Sequence, residues 1–179
     1  TNTNIGKSPL FPKYETFADF LSNTIIGKRK HTISEFFYRT QHIQQLGGYQ
    51  IYPAGYYADD ASILLFCNNN GIASTEESLI VYRKSENNIS SSSCWNVEKS
   101  KAALKYYQWI IDEFPMKQQD EQIIQQRLDF DLYTYFSAAL NIHQSIQILN
   151  CIPVNIWNWK KKLLCLYKFI LNSYAKQIK

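Results

Sequence analysis

Apolar residues recur at helical spacing near both ends of this 179-residue chain and bunch into short runs between them. Over residues 14–26, Phe17, Phe20, Leu21 and Ile25 fall at i, i+3, i+4 and i+8, one face of a helix that Gly27 ends. Thr32, with Glu35 three residues on, is a capping box. It predicts a second helix, or a broken pair, lined by Ile33, Phe36, Phe37, Ile43 and Leu46 and stopped by Gly47 and Gly48. Residues 49–52, 62–67 and 79–82 read as strands, with Asn68, Asn69, Asn70 and Gly71 supplying turn chemistry.

The second half reads as helical. Leu104, Tyr107, Ile111 and Phe114 keep helical spacing until Pro115, and Asp120 is placed to cap a short helix carrying Ile123 and Ile124. Residues 130–149 predict another helix, with Leu132, Phe136, Ala139, Leu140 and Ile146 apolar. After Pro153 comes a final helix with Ile156, Trp159, Leu163, Leu166, Tyr167, Ile170, Tyr174 and Ile178 on one face. Its other face carries Asn158, Lys161, Cys165, Lys168, Asn172, Lys176 and Lys179, a basic polar stripe expected to face solvent. The predicted class is α+β and helix-rich. Residues 1–12 form a linker, 13–85 a first module, 86–96 an Asn/Ser-rich linker and 97–179 a helical second module.

Charge changes the picture at one end. Residues 132–179 hold six lysines and no acidic residue, while the remainder carries 13 basic against 15 acidic residues within a net charge of +4. Such asymmetry points to an anionic or acidic partner. Lys160, Lys161, Lys162, Lys168 and Lys176, with Trp157 and Trp159 beside them, are candidates for phosphate contact and base stacking. The competing reading is a solvated face with the tryptophans in the core. A membrane-surface helix is a third reading. Lys28, Arg29 and Lys30, in the basic loop that His31 closes, are further candidates for a phosphate backbone.

Aromatic residues make up 15% of the chain, which favours a packed core or interface over disorder. Tyr52, Tyr56 and Tyr57, around Pro53 and Gly55, form either a protein-contact surface or a packed corner. Ile outnumbers Val 21 to 3 and Lys outnumbers Arg 15 to 4, the mark of an AT-rich genome rather than of function.

No catalytic or cofactor motif stands out: there is no GxSxG, P-loop, GxGxxG, HExxH or kinase signature. Cys67, Cys94, Cys151 and Cys165 show no CxxC pairing and only three histidines exist, so no zinc site is predicted. Reduced thiols in an intracellular protein are the expectation. Asp59 and Asp60 are placed to hold Mg²⁺ or share a proton, but no third carboxylate supports that, and a turn before a strand accounts for them. The polar start has no apolar signal region and no initiator Met, as in a piece of a longer protein, and no apolar run reaches membrane-spanning length.

The segment Phe17-Ala18-Asp19-Phe20-Leu21, the stretch 32–46 and the strand pair around Phe66 and Val81 give helix, basic loop, capped helix and strands, the order of a winged helix-turn-helix. With a second module behind it, this order resembles the tandem winged-helix C-terminal region of the small OB-fold subunit of the CST telomere-capping and telomerase-accessory complex. It is similar also to the winged-helix tail of the middle subunit of replication protein A. The resemblance implies two winged-helix modules in a nuclear, non-enzymatic subunit without a cofactor. Such a subunit bridges other proteins at chromosome ends and touches single-stranded DNA. Residues 39–46, where a recognition helix would lie, hold one Arg and no Lys, which favours protein contact over groove reading. The alternative is a stand-alone protein-binding domain, such as an effector, immunity or assembly subunit, using the tyrosines.

Overall fold

The computed structural model describes residues 11–29, 33–68, 70–75 and 92–177. Helix dominates: α1 (Phe17–Ile25), α2 (Thr40–Gln45), α3 (Ala58–Cys67), α4 (Asn96–Glu113), α5 (Gln118–Ser137), α6 (Ile142–Cys151) and α7 (Trp159–Gln177). One two-stranded antiparallel sheet pairs β1 (Tyr14–Glu15) with β2 (Ile72–Ala73), in the register Tyr14 to Ala73 and Glu15 to Ile72. The helix-rich α+β class therefore holds. The chain forms two compact units, residues 1–48 with 63–83, and residues 49–62 with 84–179. Residues 49–62, expected in the first module, belong with the second unit.

In the first unit, Thr16 caps α1 by accepting from the Asp19 backbone N–H at 3.2 Å. Phe20, Leu21 and Ile25 are buried, as their spacing predicts. Phe20 meets the edge of Phe36, Phe36 stacks on Tyr38, and Tyr38 meets the edge of Phe66 at 5.0 Å. The His42 ring donates to the Phe66 carbonyl across 2.7 Å and holds α2 to the end of α3. The second predicted helix is broken: Ile33–Glu35 is a single 3₁₀ turn and α2 follows separately. Thr32 and residues 79–82 lie outside the described residues.

The strand expected at 62–67 is helix. Ala61, Ser62, Ile63, Leu64, Phe66 and Cys67 are all buried. A short run that is apolar all round has no period to separate strand from buried helix. Asp59 and Asp60 sit in the first turn of α3, where carboxylates suit the helix dipole. Residues 49–52 are irregular rather than a strand: the Gln50 N–H donates to Ser62 Oγ at 2.8 Å and the Ile51 carbonyl accepts from Lys105 at 2.7 Å.

In the second unit, α5 runs unbroken through the predicted boundary at 130, and the break falls at 138–141 instead. Asn141 sets it, accepting from the Gln144 N–H at 2.9 Å while the Gln144 side chain accepts from the Leu140 N–H at 2.7 Å. Ala102, Ala103, Ile110, Ile124, Leu128, Leu132, Phe136, Ile148 and Ile152 form the core of α4, α5 and α6.

Gly71, just before β2, has a φ of +68°, and an added Cβ would fall against the Glu15 carbonyl oxygen. Gly71→Ala should therefore destabilise the first unit by about 2 kcal/mol or more. Urea denaturation checks this, with an unchanged midpoint as the contrary result.

Candidate functional site

The final helix carries the strongest charge signal, and three contacts fix its rotation. Asn158 Oδ1 accepts from the Lys161 N–H at 2.9 Å and starts α7. The Asp129 carboxylate on α5 accepts from the Trp157 indole N–H and from Lys161 Nζ together. Lys162 Nζ donates to the Ile152 carbonyl. Phe169 then packs edge-on against the buried Phe136 at 5.9 Å, and Cys165 is buried between these anchors along the helix.

This rotation is the reverse of the one that amphipathicity predicts. The face with Lys161 and Cys165 turns inward. Trp159, Leu163, Tyr167 and Leu171 remain 61%, 56%, 60% and 48% exposed. They stand four residues apart and form one continuous i±4 ridge. The adjacent row is Lys160, Leu164 and Lys168, all exposed. Ile170 is exposed on the ridge's other side.

The predicted nucleic-acid residues divide accordingly. Trp157 is fully buried and its N–H is spent on Asp129, so its ring is not open to a base. Lys161 is tied to Asp129 and lies 4.6 Å over the Trp157 ring. Arg29 is buried as well, 3.4 Å from Glu15 Oε2 and 3.4 Å over the Phe11 ring. Burial lowers the Arg29 pKa, against the pull of Glu15. Both cations are engaged because folding pairs them with carboxylates, the buried Glu15 and the half-exposed Asp129, which sequence separations of 14 and 32 residues conceal. Lys28, Lys160 and Lys168 are exposed. Lys30 and the side chain of Lys176 lie outside the described residues.

The predicted aromatic surface is largely a packed corner. Ala54, in the middle of the Pro53–Gly55 turn, and Tyr57, two residues past it, adopt left-handed φ values of 52° and 62°. Tyr52 is buried, with its ring edge-on to Tyr106. Tyr57 stacks on Tyr106 at 4.7 Å and its hydroxyl donates to Asp131 at 2.9 Å, with the Tyr135 hydroxyl also 2.9 Å away. Asp131 accepts as well from Tyr107 at 2.6 Å and lies 3.6 Å from Arg127 Nε. Tyr56 is half-buried among Tyr57, Tyr135 and the Lys99 ammonium. A buried Tyr52 and a hydrogen-bonded Tyr57 serve cohesion rather than partner binding.

Asp129 and Asp131 organise both arrangements. Residues two apart on a helix point to nearly opposite sides. Asp129 accordingly anchors α7 while Asp131 gathers the tyrosines. Both lie well inside α5, which begins at Gln118. The separation of Asp129 from Trp157 and Lys161, with α6 between them in the chain, carries no local pattern to find.

For chemistry, the described residues hold no group of three or more His, Cys, Asp or Glu able to bind a metal ion, and no helix among them is long and apolar enough to cross a membrane. The four cysteines are free, and burial pushes the Cys67 thiol up to about 12.

Lys161→Glu should lower stability by about 1 kcal/mol, by setting two carboxylates against each other, whereas Lys168→Glu should stay within about 0.5 kcal/mol. Equal urea midpoints would place Lys161 in solvent. Burial pushes the Tyr52 and Tyr56 hydroxyls up to about 12, with Asp131 and Asp59 adding to the shift at Tyr56. A raised folded pKa means that the folded state holds the proton more tightly. The stability gained is complete below the ordinary tyrosine value of about 10 and is lost as pH climbs beyond it. Thermal melts should fall between pH 10 and about 12 as delayed tyrosinate absorbance appears; flat melts with tyrosinate forming near 10 would contradict this. Set against protein-family models, curated protein sequences and solved structures, the chain matches none, so any assignment of function rests on its own residues.

Proposed function

We propose that this chain is a non-enzymatic protein-interaction module that docks a partner through α7. The observation that carries the reading is the ridge of Trp159, Leu163, Tyr167 and Leu171, left largely exposed on a helix whose other face is already packed. Singly exposed apolar residues are ordinary, but a contiguous apolar surface marks a binding site.

Membership of a nucleic-acid-associated complex is the finer part of the proposal. Trp159, Lys160 and Lys168 favour it, as an exposed ring and exposed cations on a helix without acidic residues. The winged-helix reading of residues 13–85 draws support from the order α1 then α2. The helical 58–67 segment, standing where a wing strand was expected, speaks against it.

The test is comparative capture from cells expressing the chain. Wild type and an Ile142→Asp control, altered at an exposed α6 position, should recover the same partner, and a Leu163→Asp/Tyr167→Asp variant should lose it with an unchanged melt. A partner retained by the α7 variant overturns the proposal. Binding of single-stranded DNA that weakens steeply with salt and vanishes in Lys160→Glu/Lys168→Glu would establish the nucleic-acid part; no binding at low salt removes it.

A further inference from the structure

Resting on the α7 docking reading, we infer that the occupant of the ridge is an acidic amphipathic helix of another protein. Two observations specify it. The ridge runs in steps of four residues, Trp159 to Leu163 to Tyr167 to Leu171, the shape that packs into the groove of a second helix. Flanking it on one side, the row Lys160, Leu164, Lys168 places two ammonium groups two turns apart with a leucine between them. Neither lysine makes an ion pair among the described residues, and α7 has no acidic residue to supply one. A helix with leucines at i, i+4 and i+7 and carboxylates along one edge matches both features.

Other occupants match fewer of them. A second α7 would set lysine rows against each other or against nothing of opposite sign, and like charges across an interface are repelled. A nucleic acid would use the lysines but leave Leu163, Tyr167 and Leu171 with no apolar counterpart. A lipid surface calls for lysines segregated to the polar face of the helix. Here the lysines of the opposite face, Lys161 and Lys162, are bonded inward, and Lys160 projects between the exposed apolar residues.

The test uses the intact chain and two synthetic helical peptides of about five turns, equal in their leucines, one edged with glutamate and the other with lysine. Anisotropy should show the acidic peptide bound and the basic one at least about tenfold weaker. Lys160→Glu/Lys168→Glu should reverse that order, and Leu163→Asp should abolish binding of either peptide. If both peptides bind alike and Leu163→Asp abolishes both, the acidic partner is refuted while docking through α7 survives. If neither peptide binds, or Leu163→Asp leaves binding unchanged, the inference falls, and comparative capture then decides the docking reading separately. Self-association that Leu163→Asp removes, or co-sedimentation with phosphatidylcholine–phosphatidylserine vesicles, would overturn it in favour of a second copy or a lipid surface.

Discussion

One carboxylate sets the rotation of the final helix. Asp129 takes the indole N–H of Trp157 and the ammonium of Lys161 on the same oxygen. The first draws the approach to α7 into the core; the second chooses which side of α7 follows it. Cys165 and Phe169, one and two turns on, then necessarily face inward. A helix has no freedom to expose a residue at i+4 once i is anchored, short of breaking its own hydrogen bonds. Trp159, Leu163 and Tyr167 are outside for that reason, in spite of their hydrophobicity.

The same device recurs at two other carboxylates. Asp131 gathers the Tyr57 and Tyr107 hydroxyls and faces Arg127, and in the first unit Glu15 takes Arg29 and the Asn23 amide. A buried hydroxyl without a partner is expensive, while a charged acceptor makes its bond about twice as strong as a neutral one, and a buried guanidinium is stabilised by an opposite charge close by. The left-handed backbone at Ala54 and Tyr57 fits this scheme. Its strain is held by the ring stacking and the hydroxyl bonds of Tyr57, which over-determine the turn.

How much of this was legible in the sequence varied with the range of the interactions. Local periodicity found α1, α4 and the body of α7, because spacing within a helix is a property of adjacent turns. The start of α6 was missed: its capping pair Asn141 and Gln144 is present in the sequence, but the apolar continuity of 130–149 obscured it. The helix at 58–67 was hidden because its buried stretch 61–67 is an almost unbroken apolar run with no period to read. The orientation of α7 was hidden for a different reason. Periodicity ranks faces by hydrophobicity and assumes that the more apolar one goes in. It has no access to Asp129, whose pairing with Lys161 arises only when α5 and α7 come together. Arg29 illustrates the same blindness, since nothing near residue 29 announces Glu15.

That failure of the hydrophobic rule is itself informative. Six large side chains of α7 stay substantially exposed: Trp159, Leu163, Leu164, Tyr167, Ile170 and Leu171. Covering them would remove roughly 100 Å² each from water, or about 600 Å² on this side, somewhat less than the ~800 Å² a partner contributes to a standard interface. At about 25 cal/mol per Å², this is of order 15 kcal/mol before association entropy and side-chain ordering are subtracted, and those costs are estimated at ~4–15 kcal/mol or more. The apolar ridge alone therefore sits near the threshold of useful affinity. On the docking reading proposed above, the two exposed lysines would act less as a source of binding energy than as a selector, raising encounter rates with acidic partners and rejecting basic ones. Lysines bonded to the rest of the fold, Lys161 and Lys162, and exposed lysines, Lys160 and Lys168, thus divide a charge cluster that looks uniform in sequence.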